Sequence, residues 1–230
     1  MVERPSINLR GNPQGKPATR RSGYHRQLVI MVKEPVAGRV KTRLGRDIGV
    51  SAATSFYRHT LRAVTSRLSC DPRWQTVLSV APAPAVASVC LPAHIARSPQ
   101  TGHDLGDRMQ AIFARPQPGP VVIIGTDIPA VTPTHIAQAF QALGRHDVVF
   151  GPATDGGFWL VGMRRIPRVF EAFRNVRWST ADTLRDCLDG LERHRVASVA
   201  TVATLSDADE AGDLLALGHV IGRHVLPKAA

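Results

Sequence analysis

The segment MVKEPVAGRVKTRL (31–44) gathers Lys33, Arg39, Lys41 and Arg43 around Pro35 and Gly38, with Glu34 as its one acid. It follows the apolar run QLVI, so a strand leads straight into a basic, kinked loop. A glycine and a proline allow a backbone to fold closely around a ligand. Lysine offers phosphate a point charge, and arginine can grip it in bidentate fashion. Holding phosphates is the chemistry this loop suits; a solvated basic turn is the plain alternative. The loop is not a P-loop, because Val40 precedes Lys41-Thr42 where G-x-x-x-x-G-K-[ST] requires glycine.

The second chemical candidate is Asp127, at the end of GPVVIIGTD (119–127), the clearest strand signal in the chain. A carboxylate there is costly to desolvate unless it is paired or binds a cation. Magnesium is typically held by one or two carboxylates with substrate phosphates and water. Asp127 is therefore read as metal-binding, in preference to a helix cap near Thr132, since Pro129 intervenes. Asp155-Gly156-Gly157 reads first as a tight turn, although its glycines would also let N–H groups face a ligand closely. Asp207, Asp209, Glu210 and Asp213 crowd a predicted helix start, where acids suit the helix dipole.

The elements that must position these groups alternate. QLVIMV (27–32), QTVLSVA (75–81), GPVVIIGTD, HDVVFGP (146–152) and GFWLVGM (157–163) read as strands. Residues 51–68 have helical spacing with Ser51 as a candidate N-cap, and 83–91 suggest a short helix. Helices are also expected over 104–115, over 132–143 with Thr132 as cap and Pro133 at the first turn, over 179–194 and over 207–220. This alternation predicts an α/β fold with a mostly parallel open sheet flanked by helices. Ligands of such sheets bind beyond the carboxyl ends of the strands, where the basic loop, GTDIP and the Gly-rich turn all fall.

Composition limits the classes. The net charge is +11, but Arg4, Arg10, Lys16, Arg20, Arg21 and Arg26 oppose only Glu3 within residues 1–26. That Pro-, Gly- and Arg-rich stretch is expected to be a disordered tail. A single domain is expected over 27–220, with a C-terminal tail at 221–230. Aromatic residues make up 5% of the chain and no nucleic-acid module is recognisable, which argues against a charge-driven nucleic-acid binder. No run is long and apolar enough for a membrane span, and no signal-peptide core is visible, so a cytoplasmic location is expected. Cys70, Cys90 and Cys187 are too scattered for a disulfide framework and are expected to be reduced and mostly buried. The histidines lack ligand spacing, and His103 is the one nearest a notable motif.

KEPVAGRVKTRL, TGHDLGDRM, GTDIP, GPATDGGFWLVG, RWST and DADEAGDL, in that order between Leu28 and Leu217, resemble a bacterial family of radical-SAM/selenodomain-associated transferases, also described as arsenosugar-biosynthesis-type glycosyltransferases. That family is similar to the GT-A nucleotide-diphospho-sugar transferase superfamily, which includes molybdenum-cofactor and 2-phospho-L-lactate guanylyltransferases and sugar-acid cytidylyltransferases. The resemblance implies a GT-A-like, Rossmann-like fold. It implies Asp127 and Asp209 as ligands of Mg²⁺ or Mn²⁺, with Lys41, Arg43 and Asp127 as the catalytic groups. Lys33, Gly38, Arg39, Lys41 and Arg43 fall in the nucleotide-phosphate loop, and Asp155, Gly156 and Gly157 line the acceptor side. Asp104, Leu105, Gly106 and Arg108 match a signature without an assigned role. Ser179 replaces the usual glycine of the Trp-Gly-Thr block, and Glu210 replaces the usual threonine after the second aspartate.

The expected function is a metal-dependent transferase that moves a sugar from a nucleotide sugar to a small acceptor. Nucleotidylyl transfer from a nucleoside triphosphate, with release of pyrophosphate, is the alternative. Four basic residues in one loop suit a triphosphate, and GTD supplies one acid where many glycosyltransferases of this fold carry a D-x-D pair. Trp159 and Trp178 flank the expected acceptor side, either stacking on a base or sugar or packing in the core. No specific nucleic-acid or membrane partner is expected, and no feature specifies an oligomeric state.

Overall fold

The computed structural model describes residues 25–193 and 198–206. Most of the 1–26 tail, the helix expected over 207–220, Asp209 and the 221–230 tail lie outside the described residues. The strands are β1 Gln27–Lys33, β2 Gln75–Ala81, β3 Ala96–Pro99, β4 Val121–Ile124, β5 Val148–Pro152, β6 Phe158–Met163 and β7 Val199–Thr201. The helices are α1 Thr42–Ile48, α2 Val50–Ser69, α3 Leu105–Phe113, α4 Pro133–Ala142 and α5 Thr183–Arg193. The strands form one sheet in the order β3-β2-β1-β4-β6-β5-β7. All pairings are parallel except the two made by β6, which runs antiparallel to β4 and β5.

The period of two in the strands sorts the core into two layers. Leu28, Ile30 and Val32 point to one face with Tyr57, Leu61, Val64 and Leu68 of α2 and Ile136, Ala139 and Phe140 of α4. Val29, Ile123, Phe150 and Val161 point to the other, against Met109, Ile112 and Phe113 of α3 and Cys187 and Leu191 of α5. β4 is buried on both faces, which is why its sequence, VVII, is apolar throughout. α4 starts as its sequence predicts. The Thr132 hydroxyl accepts from the His135 N–H at 3.4 Å, and His135 Nδ1 accepts from the Thr132 N–H at 3.2 Å.

Several expectations are corrected. Ser51 is not a cap: α2 begins at Val50 after Gly49, whose φ of 87° breaks the chain from α1 and admits it directly to the next helix. The helix expected over 83–91 is instead a 3-10 turn, Ala83–Ala87, which ends at Ser88, whose backbone is extended at φ −62° and ψ 131°. The edge strands β3 and β7 and the short helix α1 had no expectation attached. Of the cysteines, Cys187 is buried but Cys70 and Cys90 are exposed, one capping the end of α2 and the other in the loop after the 3-10 turn. Burial pushes the Cys187 thiol up to about 12. Among the described residues, no helix is long and apolar enough to cross a membrane.

Candidate active site

The carboxyl ends of β1 and β4 and the start of β6 lie side by side, since Ile30 pairs with Ile124 and Ile124 with Leu160. A cleft of about 560 Å³ opens there. That volume suits a small-molecule ligand. Lys33, Lys41, Arg43 and Arg108 line it together with Asp127.

The basic loop is shaped by its own turns. The Val36 N–H donates to the Glu34 carbonyl at 2.8 Å and the Arg39 N–H to the Val36 carbonyl at 3.0 Å. Gly38 takes φ 77° between them, and Val40 anchors the far end in the core at 4% exposure. The loop then becomes helix: Lys41 is the N-cap of α1, with φ 48° and ψ 47°. A lysine in this left-handed region is uncommon and marks a site for scrutiny. Its Nζ lies 2.6 Å from Asp127 Oδ1, with the lysine side chain 4% exposed and the aspartate 47%. Asp127 itself sits past the end of β4, behind Gly125 and the buried Thr126.

Helix α2 braces this loop. The Tyr57 hydroxyl accepts from the Lys33 N–H at 2.9 Å, donates to the Lys33 carbonyl at 3.1 Å and accepts from the Thr126 hydroxyl at 3.3 Å. It thereby ties the end of β1 to the loop after β4. Burial raises the Tyr57 pKa above its ordinary value, while the hydrogen bonds from Thr126 and Lys33 oppose the shift. Arg58 Nη2 donates to the Pro35 carbonyl at 3.1 Å. Gln100 Nε2 bonds the carbonyls of Ser79 and Val32, at 2.8 and 3.3 Å, across the ends of β2 and β1. Sequence reading missed Tyr57, Thr126 and Gln100, which the fold and not sequence spacing brings to the cleft.

The GHDLGDRM signature divides into scaffold and lining. Asp104 caps α3, its Oδ1 accepting from the Asp107 N–H at 2.8 Å, and Asp107 Oδ2 accepts from the His103 N–H at 3.1 Å. A side chain at Gly106 would meet Trp178 at 2.7 Å and Phe173 at 2.9 Å, so this glycine permits α3 to pack closely. Leu105, Arg108 and Met109 face the cleft instead.

The other expected residues fall differently. Gly38 and Arg39 are exposed on the basic turn and do not line the cleft. Asp155, Gly156 and Gly157 do not line it either. Asp155 Oδ1 accepts from the Gly157 N–H at 2.8 Å, and Gly156, at φ 87°, leaves no room for a Cβ, which would lie 2.2 Å from the Ala181 carbonyl. The turn also touches the segment leading into α5, where the Leu184 N–H donates to the Gly156 carbonyl at 3.1 Å. The Trp159 N–H donates to the Ala203 carbonyl at 2.9 Å while its ring edges the cleft. Trp178 packs among Phe158 and Phe173. Among the described residues, no three His, Cys, Asp or Glu side chains cluster as a metal cage.

The profile of a family described as "Uncharacterized protein conserved in bacteria (DUF2064)" matches residues 62–180. No curated protein matches the chain. Among solved structures, the chain is similar to a Desulfovibrio desulfuricans G20 protein provisionally described as a nucleotide-diphospho-sugar transferase. The TM-score is 0.80 at 26% identity, over 90% of this chain and 92% of that one. It shares its fold with CMP:2-keto-3-deoxy-manno-octonic acid synthetase complexed with CTP, at TM-score 0.54 and 11% identity over 86% and 98% of the two chains. It also shares it with glucosyl-3-phosphoglycerate synthase of Mycobacterium tuberculosis, in complex with Mn²⁺, UDP and phosphoglyceric acid. That match has TM-score 0.52 and 10% identity, over 85% and 74% of the two chains. The fold is that of the nucleotide-diphospho-sugar transferases, GT-A-like, as expected.

Proposed function

The chain belongs to the DUF2064 family, and from its fold and cleft we propose a metal-dependent transferase that uses a nucleotide-activated donor. The reaction we favour moves a sugar from a nucleotide sugar to a small acceptor. The observation that carries this reading is the Lys41–Asp127 pair in a cleft that Lys33 and Arg43 also line. A cation and a carboxylate side by side can serve the two halves of a metal–phosphate group.

Asp127 fits a hard divalent cation: it offers carboxylate oxygen, is half exposed, and is the one described acid lining the cleft. With Asp209 it would hold Mg²⁺ or Mn²⁺, the remaining oxygens coming from donor phosphates and water. Bound there, the ion supplies Lewis-acid stabilisation of phosphate charge. Lys41 and Arg43 neutralise the negative charge that grows on the departing phosphate. Lys33, set by its main-chain bonds to Tyr57, adds to the same field. No covalent nucleophile is needed, because the acceptor attacks directly and positioning does most of the work.

One observation favours nucleotidylyl transfer as a second reading. Four cationic side chains line the cleft against a single described carboxylate, a balance suited to a triphosphate. A thermal-shift panel of nucleoside triphosphates and nucleotide sugars, each with and without Mg²⁺, separates the two, since ligands of the native state raise its stability. Stabilisation by a nucleotide sugar alone supports glycosyl transfer; stabilisation by one triphosphate, with pyrophosphate released on turnover, replaces it. Asp127→Ala is expected to lower turnover by about 10²-fold or more. Unchanged turnover, with metal still required, would sink the assignment.

A further inference from the structure

The two members of the Lys41–Asp127 pair are unequal. Lys41 Nζ is within 2.6 Å of Asp127 Oδ1, yet the lysine side chain is 4% exposed where the aspartate is 47%. The lysine opens α1 from a left-handed backbone and makes no side-chain cap to that helix. Its ammonium is thus buried and directed across the cleft to the carboxylate that the proposed function gives to the metal.

Resting on that reading, we propose that Lys41 competes with the divalent cation for Asp127. Its ammonium occupies the carboxylate until donor phosphates draw it away, so the metal enters with the nucleotide and not before it. Magnesium–oxygen bonds are about 2.0–2.1 Å long, so a divalent ion on Oδ1 would stand beside an ammonium already in contact with that oxygen. Two cations that close repel each other, and burial of the lysine end weakens the screening by water. The lysine must therefore leave or the metal must stay out. A buried ammonium leaves only for another anionic partner, because an unpaired buried charge is costly. Phosphates placed between Lys33, Lys41 and Arg43 would provide that partner and complete the metal's oxygen shell together.

The test is Mn²⁺ binding to the full-length protein, by titration calorimetry, with the metal alone and then with inorganic pyrophosphate. Wild type should bind Mn²⁺ weakly alone and more tightly with pyrophosphate. When a competing state holds a site in nine molecules of ten, apparent affinity falls about tenfold. Lys41→Met should therefore bind Mn²⁺ alone at least about tenfold more tightly. Lys41→Gly, which suits the left-handed backbone, should do the same and guards against a folding defect in the first variant. Mn²⁺ affinity that is unchanged or weaker in both folded variants overturns the competition. Asp127→Asn tells the competition apart from the metal role of Asp127. If it abolishes the Mn²⁺–pyrophosphate binding of wild type while the lysine variants gain nothing, the competition alone fails. If that binding persists in Asp127→Asn, the metal reading of Asp127 fails as well.

Discussion

The Tyr57 hydroxyl engages both main-chain groups of Lys33, accepting from its N–H at 2.9 Å and donating to its carbonyl at 3.1 Å. One side chain of α2 thus closes the end of β1 at the residue where the basic loop starts. Tyr57→Phe keeps the ring in the core but strips these groups of their partner. These bonds are partly buried, and a typical intramolecular hydrogen bond contributes about 0.5–1.5 kcal/mol net. Urea denaturation should show a loss in that range. The KM for the nucleotide donor should also rise, because Lys33 lines the cleft.

The same hydroxyl predicts a pH dependence. Its pKa is raised above 10.0, first by burial and further by the nearby Asp127 carboxylate. The fold therefore holds the phenol proton more tightly than the unfolded chain does. The corresponding stability is fully present below pH 10 and is lost as pH rises through the folded-state value. Stability measured from pH 8 upward should fall more steeply above 10 for wild type than for Tyr57→Phe. The chain has two tyrosines, so comparing phenolate absorbance in the two proteins isolates Tyr57. Ionisation of Tyr57 below pH 10 in the folded protein would contradict the prediction.

What could be read from the sequence follows from how the signals arise. β4 was visible because VVII is buried on both faces, and α4 because Thr132 and Pro133 are start signals that local chemistry obeys. β3 and β7 were not, since ARSP and VAT are half-exposed edge strands with no apolar alternation. α1 was hidden because TRLGRDI buries only Leu44. In the cleft, Lys33, Lys41, Arg43 and Asp127 were legible as charge beside apolar runs, whereas Arg39 of the same loop lies outside it. Tyr57 was not, since it reads as one more apolar position of an amphipathic helix, and only the fold carries it across 24 residues of sequence to Lys33. The Gly-rich turn was legible as a turn from Asp155-Gly156-Gly157, but its contact with Ala181 was not, since only the fold brings Ala181 against Gly156.

That contact is testable. Gly156→Ala would place a Cβ 2.2 Å from the Ala181 carbonyl oxygen in a backbone at φ 87°. Overpacking costs about 1–3 kcal/mol, and the positive φ adds strain for any residue but glycine. A fall in unfolding temperature is expected. Asp155→Ala removes one exposed hydrogen bond, to the Gly157 N–H, and should cost less than about 1.5 kcal/mol. Neither residue lines the cleft, so donor and acceptor KM should be unchanged in Asp155→Ala. An acceptor KM that rises in that variant would return the turn to the acceptor side.

The DLGDRM signature gives a paired prediction, because its glycine and its arginine do different things two residues apart. Gly106→Ala drives a methyl to 2.7 Å from Trp178 and 2.9 Å from Phe173. Both rings belong to the aromatic group around Phe158, so α3 must shift. Stability should fall by about 1–3 kcal/mol. Arg108 lines the cleft, and its bond from Nε to the Gly102 carbonyl is long, at 3.4 Å. Arg108→Ala should therefore leave the unfolding temperature nearly unchanged. A hydrogen bond to a charged group contributes about 1.5–3 kcal/mol, so affinity for an anionic substrate should fall roughly tenfold or more when Arg108 is removed. Arg108→Lys should restore part of that affinity, because it returns the charge without the bidentate fork. If instead Arg108→Ala is as unstable as Gly106→Ala and binds nucleotides like wild type, the arginine belongs to the scaffold with the glycine.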